Sequence, residues 1–254
     1  MADIERPEDL PEPMTGGSAE ERPPAADRHP FRRAGMWLLT ALLSAFFLVH
    51  TYALLMGLVQ PPITLNMAGS VLTGKSLQRD TVPLSRISPN LVYAVIAAED
   101  SRFCQHNGFD LKAIQQAIEE RKSGKRMRGA STISQQTAKN VFLWNGGGFA
   151  RKGLEAWMTL VIEASWGKKR IMEVYLNVAE WGDGIYGAEA AAQARFGKPA
   201  SELSTREAAL LAAVLPNPNE WRVDPPGNYV AGRAGTLQQR MGVVRNDGLA
   251  ACAL

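Results

Sequence analysis

The 254-residue chain has few cysteines, few strand signals and, over one long stretch, no charge. Its only cysteines, Cys104 and Cys252, are far apart and show no Cys-x-x-Cys spacing. That excludes a cysteine-built metal site and a disulfide-rich framework, and both thiols are expected to be free. No basic run with interleaved aromatics occurs, and the formal net charge is only +3, so nucleic acid is not an expected partner. No internal repeat is present, which excludes a repeat architecture. Only Ser70 to Leu72 and Thr81 to Leu84 are candidates for short paired strands.

No Asp, Glu, Lys or Arg occurs between Arg33 and Lys75. Within that stretch Trp37 to Val59 is apolar apart from Thr40, Ser44, His50 and Thr51. As a helix it is long enough to cross roughly 30 Å of hydrocarbon. Core helices seldom run this far without charge. A cleaved signal peptide would start earlier, be shorter and end in a small-x-small site. Residues 35–60 are therefore expected to form one transmembrane helix, ended by Pro61 and Pro62. Arg28, Arg32 and Arg33 precede it and no charge balances them on the far flank, which places the N-terminus in the cytoplasm and everything after Gln60 outside. His50, without a partner in the span, reads as a tolerated neutral residue. Residues 1–34 are rich in Pro, Glu and Asp, bury little, and are expected to be a disordered tail.

After about residue 85 helical spacing dominates: Leu91 to Ala98, Leu111 to Lys122, Thr132 to Leu143, Ala150 to Trp166, Lys169 to Val178, and Arg206 to Leu215. Three places carry candidate chemistry. In Gly129 to Asn140, small residues open a helix whose free amides would attract an anion, with Gln135 and Lys139 four apart on one face. The same pattern is also what a capped amphipathic helix looks like. Glu99 and Asp100 close an apolar helix, where partial desolvation raises a carboxyl pKa and suits it to proton transfer. A surface acidic pair at a helix end would read the same way. His106 beside them is more simply a structural histidine. Arg151, Lys152 and Glu155 form either a solvated ion pair or a phosphate-holding group, with or without a metal ion. The apolar stripe Ile171, Val174, Tyr175 and Val178 reads as core, and the Ala208 to Leu215 run as a buried helix stopped by Pro216.

In this order the segments closely resemble the five motifs of the glycosyltransferase family 51 peptidoglycan polymerases. They are Glu99-Asp100-x-x-Phe103-x-x-His106-x-Gly108-Phe109-Asp110, Arg128-Gly129-Ala130-Ser131-Thr132-Ile133-Ser134-Gln135-Gln136, Arg151-Lys152-x-x-Glu155, Ile171-x-Glu173-x-Tyr175-Leu176-Asn177, and the run ending Leu215-Pro216-Asn217-Pro218. The resemblance covers roughly residues 60 to 245. It implies a mostly α, lysozyme-like glycosyltransferase domain (residues 61–245) on the periplasmic face of a bacterial inner membrane, with residues 246–254 left as a frayed tail. The implied activity is polymerisation of lipid II into β-1,4-linked glycan strands, with inversion and release of undecaprenyl diphosphate.

By position Glu99 matches the general base, and Glu155 the second carboxylate, beside the diphosphate and a divalent metal ion (Mg or Mn). Lys139 and Arg151 match diphosphate-holding cations, and Lys152 belongs to the substrate-binding set. Gln135, Gln136 and Asn140 match the donor side, and Asp100, Phe103, His106, Arg128 and Ser131 complete the substrate-binding set. Other cell-wall synthesis proteins are possible partners. Relatives often carry an Arg where this chain has Gly146-Gly147-Gly148. Two rivals remain on the residues alone. A hydrolase could use the same two carboxylates, but it has no diphosphate for Lys139 and Arg151 to hold. A non-catalytic binding module would not need both Glu99 and Glu155.

Overall fold

The computed structural model describes residues 30–124, 129 and 131–254. Most of the expected disordered tail, with Arg28, and the expected substrate ligand Arg128 lie outside the described residues. Residues 30–34, expected in that tail, are already helical, since helix α1 runs Pro30–Met56 with proline at its start. A fixed φ and a missing N–H suit proline to that place. Contacts divide the chain into two units, Met1–Phe46 and Phe47–Leu254. In the first, the described side chains are exposed and mostly apolar, Trp37 and Phe47's neighbour Phe46 among them. Phe31–Met56 is long and apolar enough to span a bilayer, and only 6% of its most apolar window is buried, which separates it from a core helix.

The second unit is mostly helical. It contains α2 (Leu65–Leu72), α3 (Pro89–Glu99), α4 (Leu111–Lys122), α5 (Ile133–Phe142), α6 (Phe149–Ser165), α7 (Gly167–Val178), α8 (Ala188–Phe196), α9 (Thr205–Val214) and α10 (Asn228–Asn246). Three short strands complete it: β1 (Gln78–Arg79), β2 (Glu180–Gly182) and β3 (Ile185–Tyr186). β3 lies between β1, parallel to it, and β2, antiparallel to it. The expected strands are corrected. Ser70 to Leu72 belongs to α2, where Thr64 caps the first turn, and Thr81 to Leu84 leads into a 3₁₀ turn at Leu84–Arg86. The latter segment is stitched down by side chains instead: Asn177 accepts from the Val82 amide (3.0 Å) and donates to the Val82 carbonyl (2.9 Å), and Glu173 accepts from the Leu84 amide (2.8 Å).

Helix α3 is apolar on every side because α9 and α10 both pack on it. Leu91, Val92, Ala94, Val95 and Ile96 have no exposed surface, the pattern of a helix buried all round. Helix α9 is apolar and buried from Ala208 to Val214, after a polar first turn at Thr205–Glu207. Helices α5, α6 and α7 form the other packed group. Glu99 ends α3 and the second and third motifs sit on α5 and α6, so the site forms where the two groups meet.

Helix α1 stops at Met56, before the two prolines, and side chains from elsewhere bond carbonyls at and just past its end. Trp166 Nε1 donates to the Ala53 carbonyl (2.8 Å), and the Arg170 guanidinium donates to the carbonyls of Met56 and Val59. Such bonds satisfy helix-end acceptors that would otherwise be orphaned. His50 is not without a partner: Trp157 Nε1 donates to its Nε2 at 3.3 Å, and the rings meet edge to face.

The cysteines are not free. Cys104 and Cys252 form a disulfide across 148 residues. Two cysteines too distant in sequence to suggest pairing are brought together because the chain end folds back over the turn at Phe103–Gln105. The expected frayed end is instead packed: Ala250 and Ala253 are buried, and Lys169 donates to the carbonyl of Leu254.

Candidate active site

Glu99 is the last residue of α3. Burial, the largest influence, and the neighbouring Asp100 push its pKa up, while a hydrogen bond from Gln136 Nε2 (2.8 Å) and the charge of Arg233 oppose the rise. Gln136 is oriented in turn by the hydroxyl of Tyr175, which donates to its Oε1 at 3.3 Å. Burial raises the Tyr175 pKa well above its usual value, so the phenol remains a donor. Gln136 thus presents its NH₂ to Glu99 in one orientation, and a buried carboxylate held by a single amide donor is suited to take a proton.

Gln136 also lines a cavity of about 210 Å³ with Lys139, Asn140, Tyr175, Glu180 and Tyr186. Burial, Arg151 and Lys152 lower the Lys139 pKa, against the pull of Glu155 and Glu180. Among the described residues Lys139 has no ion-pair partner. Arg151 and Lys152, on the first turn of α6, both bond Glu155, the former at 2.8 Å. Glu155 is only 2% exposed, so this is a buried carboxylate met by the half-buried Arg151 and the exposed Lys152, and not the solvated i,i+4 pair that spacing alone allows. Lys152 also reaches Ser131 at 3.4 Å. Lys139, Arg151 and Lys152 therefore lie close enough to act on one another's charge. Gly147, in the loop before α6, has φ +85° and a Cβ there would stand 3.1 Å from the Arg151 side chain. The glycine keeps that space for Arg151.

Several expected ligands lie behind the site. Asp100 is 7% exposed and accepts from His106 Nε2 at 3.0 Å and from the Ile133 amide at 3.1 Å, so it caps α5. Gln135 closes a capping box with Thr132: its side chain accepts from the Thr132 amide (3.0 Å), and Thr132 Oγ1 accepts from the Gln135 amide (3.2 Å). Of the amides expected to be free for an anion, those of Thr132, Ile133 and Gln135 are thereby taken. Phe103 is wholly buried beneath Lys168, whose ammonium sits 4.5 Å from the ring centre. Asp100, Phe103, His106 and Gln135 are thus engaged with neighbours inside the protein. Gly108 ties this layer together. Its carbonyl accepts from Thr132 Oγ1 (2.6 Å), and at φ +92° a Cβ would meet Thr159 of α6 at 2.7 Å.

Glu155 is the expected metal ligand. One of its oxygens is bonded to Lys152 and the other to Arg151, and among the described residues no group of three or more His, Cys, Asp or Glu is placed to hold an ion. The side chains as arranged do not fit a resident metal ion.

Three residues near the chemistry escaped the sequence reading. Tyr175 looked like core and is core, but its hydroxyl reaches the site. Glu180 follows α7 in a strand too short to show a pattern. Arg233 lies on α10, 134 positions after Glu99, and its Nε is buried without a hydrogen-bond partner. No local signal marks Glu180 or Arg233, whereas Tyr175 stands in the fourth motif.

The family model described as Transglycosylase matches residues 65–242. A biosynthetic peptidoglycan transglycosylase of Rhodospirillum centenum is 57% identical over 197 residues, 77% of this chain and 85% of the relative. Proteins of the same description from Caulobacter vibrioides and Aeromonas hydrophila are 52% and 48% identical, over 85% and 86% of this chain and 96% and 93% of theirs. The helical domain has the lysozyme-like fold of such enzymes. With the family model covering most of the chain and these relatives matched nearly end to end, the chain belongs to the transglycosylase family.

Proposed function

We infer that the chain is a peptidoglycan glycosyltransferase of bacterial cell-wall synthesis, and that it polymerises lipid II and releases undecaprenyl diphosphate. The observation that carries this reading is Gln136, which bonds the base candidate Glu99 and lines the same cavity as Lys139, a cation with no ion-pair partner among the described residues. The sugar hydroxyl of one lipid II attacks C1 of the growing strand. Glu99 takes the hydroxyl proton, the C1–oxygen bond to the diphosphate breaks, and the electron pair leaves with the diphosphate. Lys139 and Arg151, with Lys152, stabilise the charge that develops there, which a diphosphate needs more than it needs a strong acid. No step is assigned to a metal ion.

The catalytic domain faces the periplasm in this reading. Arg32 and Arg33 flank the apolar helix on its N-terminal side. The Cys104–Cys252 disulfide adds independent support, because such bonds persist in oxidising compartments and are rare in the cytosol. A substrate with a long lipid tail is met at the membrane, which accounts for the anchor. The test is incubation of the full chain with labelled lipid II in detergent. Polymer is the expected product. Glycan fragments would indicate a hydrolase, and unchanged substrate a binding module.

A further inference from the structure

Helix α1 ends at Met56, yet the chain carries no Asp, Glu, Lys or Arg until Lys75, although 21% of its residues are charged. An anchor needs no such continuation. The charge-free stretch contains α2, whose residues divide between the protein and its surroundings. Asn66 lines the cavity that Gln136 and Lys139 line, and Ser70, one turn on, shares a hydrogen bond with the Tyr186 hydroxyl at 2.7 Å. Leu65 and Leu72, two turns apart, are exposed, Leu72 by 87%, and so are Ile63 and Val71. Water is a poor surrounding for such a face.

Helix α6 presents a second face of the same kind. From Gly153 to Ser165 its exposed residues are Gly153, Leu154, Trp157, Leu160, Ala164 and Ser165, none of them charged. Glu155 is buried, and Glu163 turns inward to Ser134 and Lys168. This helix meets the last turns of α1. Trp157 bonds His50, which stands six residues before Met56, about 9 Å along a helix axis. Tyr52 packs edge to face on Phe142 of α5, and Ala53 and Met56 are buried. The catalytic unit therefore flanks the end of the apolar helix instead of starting beyond it, and Trp157 shares the level of a residue within the span.

We propose that α2 and the outer face of α6 are seated in the surface of the bilayer that α1 crosses, so that the helix bringing Asn66 to the cavity rests on lipid. The occupant of these faces is lipid because they continue the apolar surface of a helix long and apolar enough to span a bilayer. The half-exposed Trp157 is also the residue type that gathers at the membrane–water boundary. The seating rests on α1 crossing the membrane and does not depend on the reaction. It gives a substrate with a lipid tail a sideways route to the cavity.

The test uses the full chain reconstituted in phosphatidylcholine vesicles, with one introduced cysteine carrying a fluorophore and with lipids that bear a quencher near the headgroup. The native cysteines are bonded to each other and take no label. Leu43→Cys, within α1, reports the span, and Arg240→Cys, exposed on α10, reports water. Labels at Leu72→Cys and Leu160→Cys should be quenched severalfold more strongly than the Arg240 label. Quenching no stronger than there overturns the proposal. If the Leu43 label also matches the Arg240 label, the anchor reading fails with it. Shielding of the Leu72 and Leu160 labels from aqueous iodide without quenching by lipid would mean that protein covers these faces, and would overturn the proposal too. A second arm reads substrate access. Leu65→Asp combined with Leu72→Asp should lower lipid II turnover severalfold in vesicles and leave it nearly unaltered in detergent, where no bilayer has to be met. An equal loss in both media would mark a defect in α2 itself and overturn the role in access.

Discussion

Two polar layers meet at this site, and they differ in how completely the protein satisfies them. In the layer of Asp100, His106, Thr132 and Gln135 the polar groups pair mostly with one another and with backbone: Asp100 takes the Ile133 amide and His106, and Gln135 and Thr132 bond reciprocally. In the layer of Glu99, Lys139 and Glu180 the charged groups are half-buried and Lys139 has no ion-pair partner among the described residues, and burial raises the pKa of each carboxylate and lowers that of Lys139. The first layer stabilises the fold and the second is costly to it. Perturbed groups gather where chemistry is done. Side chains of one motif therefore have different jobs, and pairing distinguishes them where sequence adjacency does not.

The comparison breaks most clearly at Glu99. Glu99→Gln should lower the polymerisation rate by about 10²–10⁴ while lipid II still binds, the usual cost of losing a general base. Its folded pKa is raised, so the ionised form opposes folding at neutral pH, and that opposition fades below the usual glutamate range. Melting at pH 7 should therefore show the variant at least as stable as the parent, and a loss of stability would return Glu99 to the scaffold. Asp100→Ala should do the reverse, since it strands His106 and the start of α5. A loss of about 3 kcal/mol in unfolding free energy is expected, as for other broken buried charge networks. Denaturant titration would show it, and an unaltered midpoint would mean Asp100 does not brace the site.

Lys139→Ala should reduce kcat/KM about ten- to a hundredfold, the loss of a charge-assisted contact to phosphate, without lowering the melting temperature. Arg151 is a less clean probe, because its removal also leaves one oxygen of the buried Glu155 carboxylate without its partner. An equal loss on substituting the solvent-exposed Lys122 would put the diphosphate elsewhere. Thr132→Ala should cost about 1 kcal/mol of stability through the lost cap and leave kcat nearly unaltered. A large kcat effect there would merge the two layers.

Much of this was legible in the sequence, for reasons that are local. The apolar run of α1, the all-round apolar α3 and the cation-carboxylate spacing of Arg151 and Glu155 are patterns within a few turns of helix. What stayed hidden depends on contacts between distant segments. The Cys104–Cys252 bond needs the chain end to return, the short sheet joins residues 78–79 to 185–186, and Glu180 enters the cavity only once that sheet forms. Gln135 and Gln136 are adjacent and chemically identical. Only the capping geometry at Thr132 decides that one faces inward to the helix start and the other reaches Glu99.

The smallest expected effect is also the most direct test of Glu99 as the poised base. It is the dependence of kcat/KM on pH for the parent enzyme and for Gln136→Leu. Glu99 acts only when ionised, so activity should fall on the acid side with a midpoint above the ordinary glutamate value of 4.5. The Gln136 amide favours the ionised form, so its removal should move that midpoint to higher pH, with the plateau rate reduced much less than by Glu99→Gln. A limb that does not move, or no acid limb between pH 4.5 and neutrality, would contradict the account.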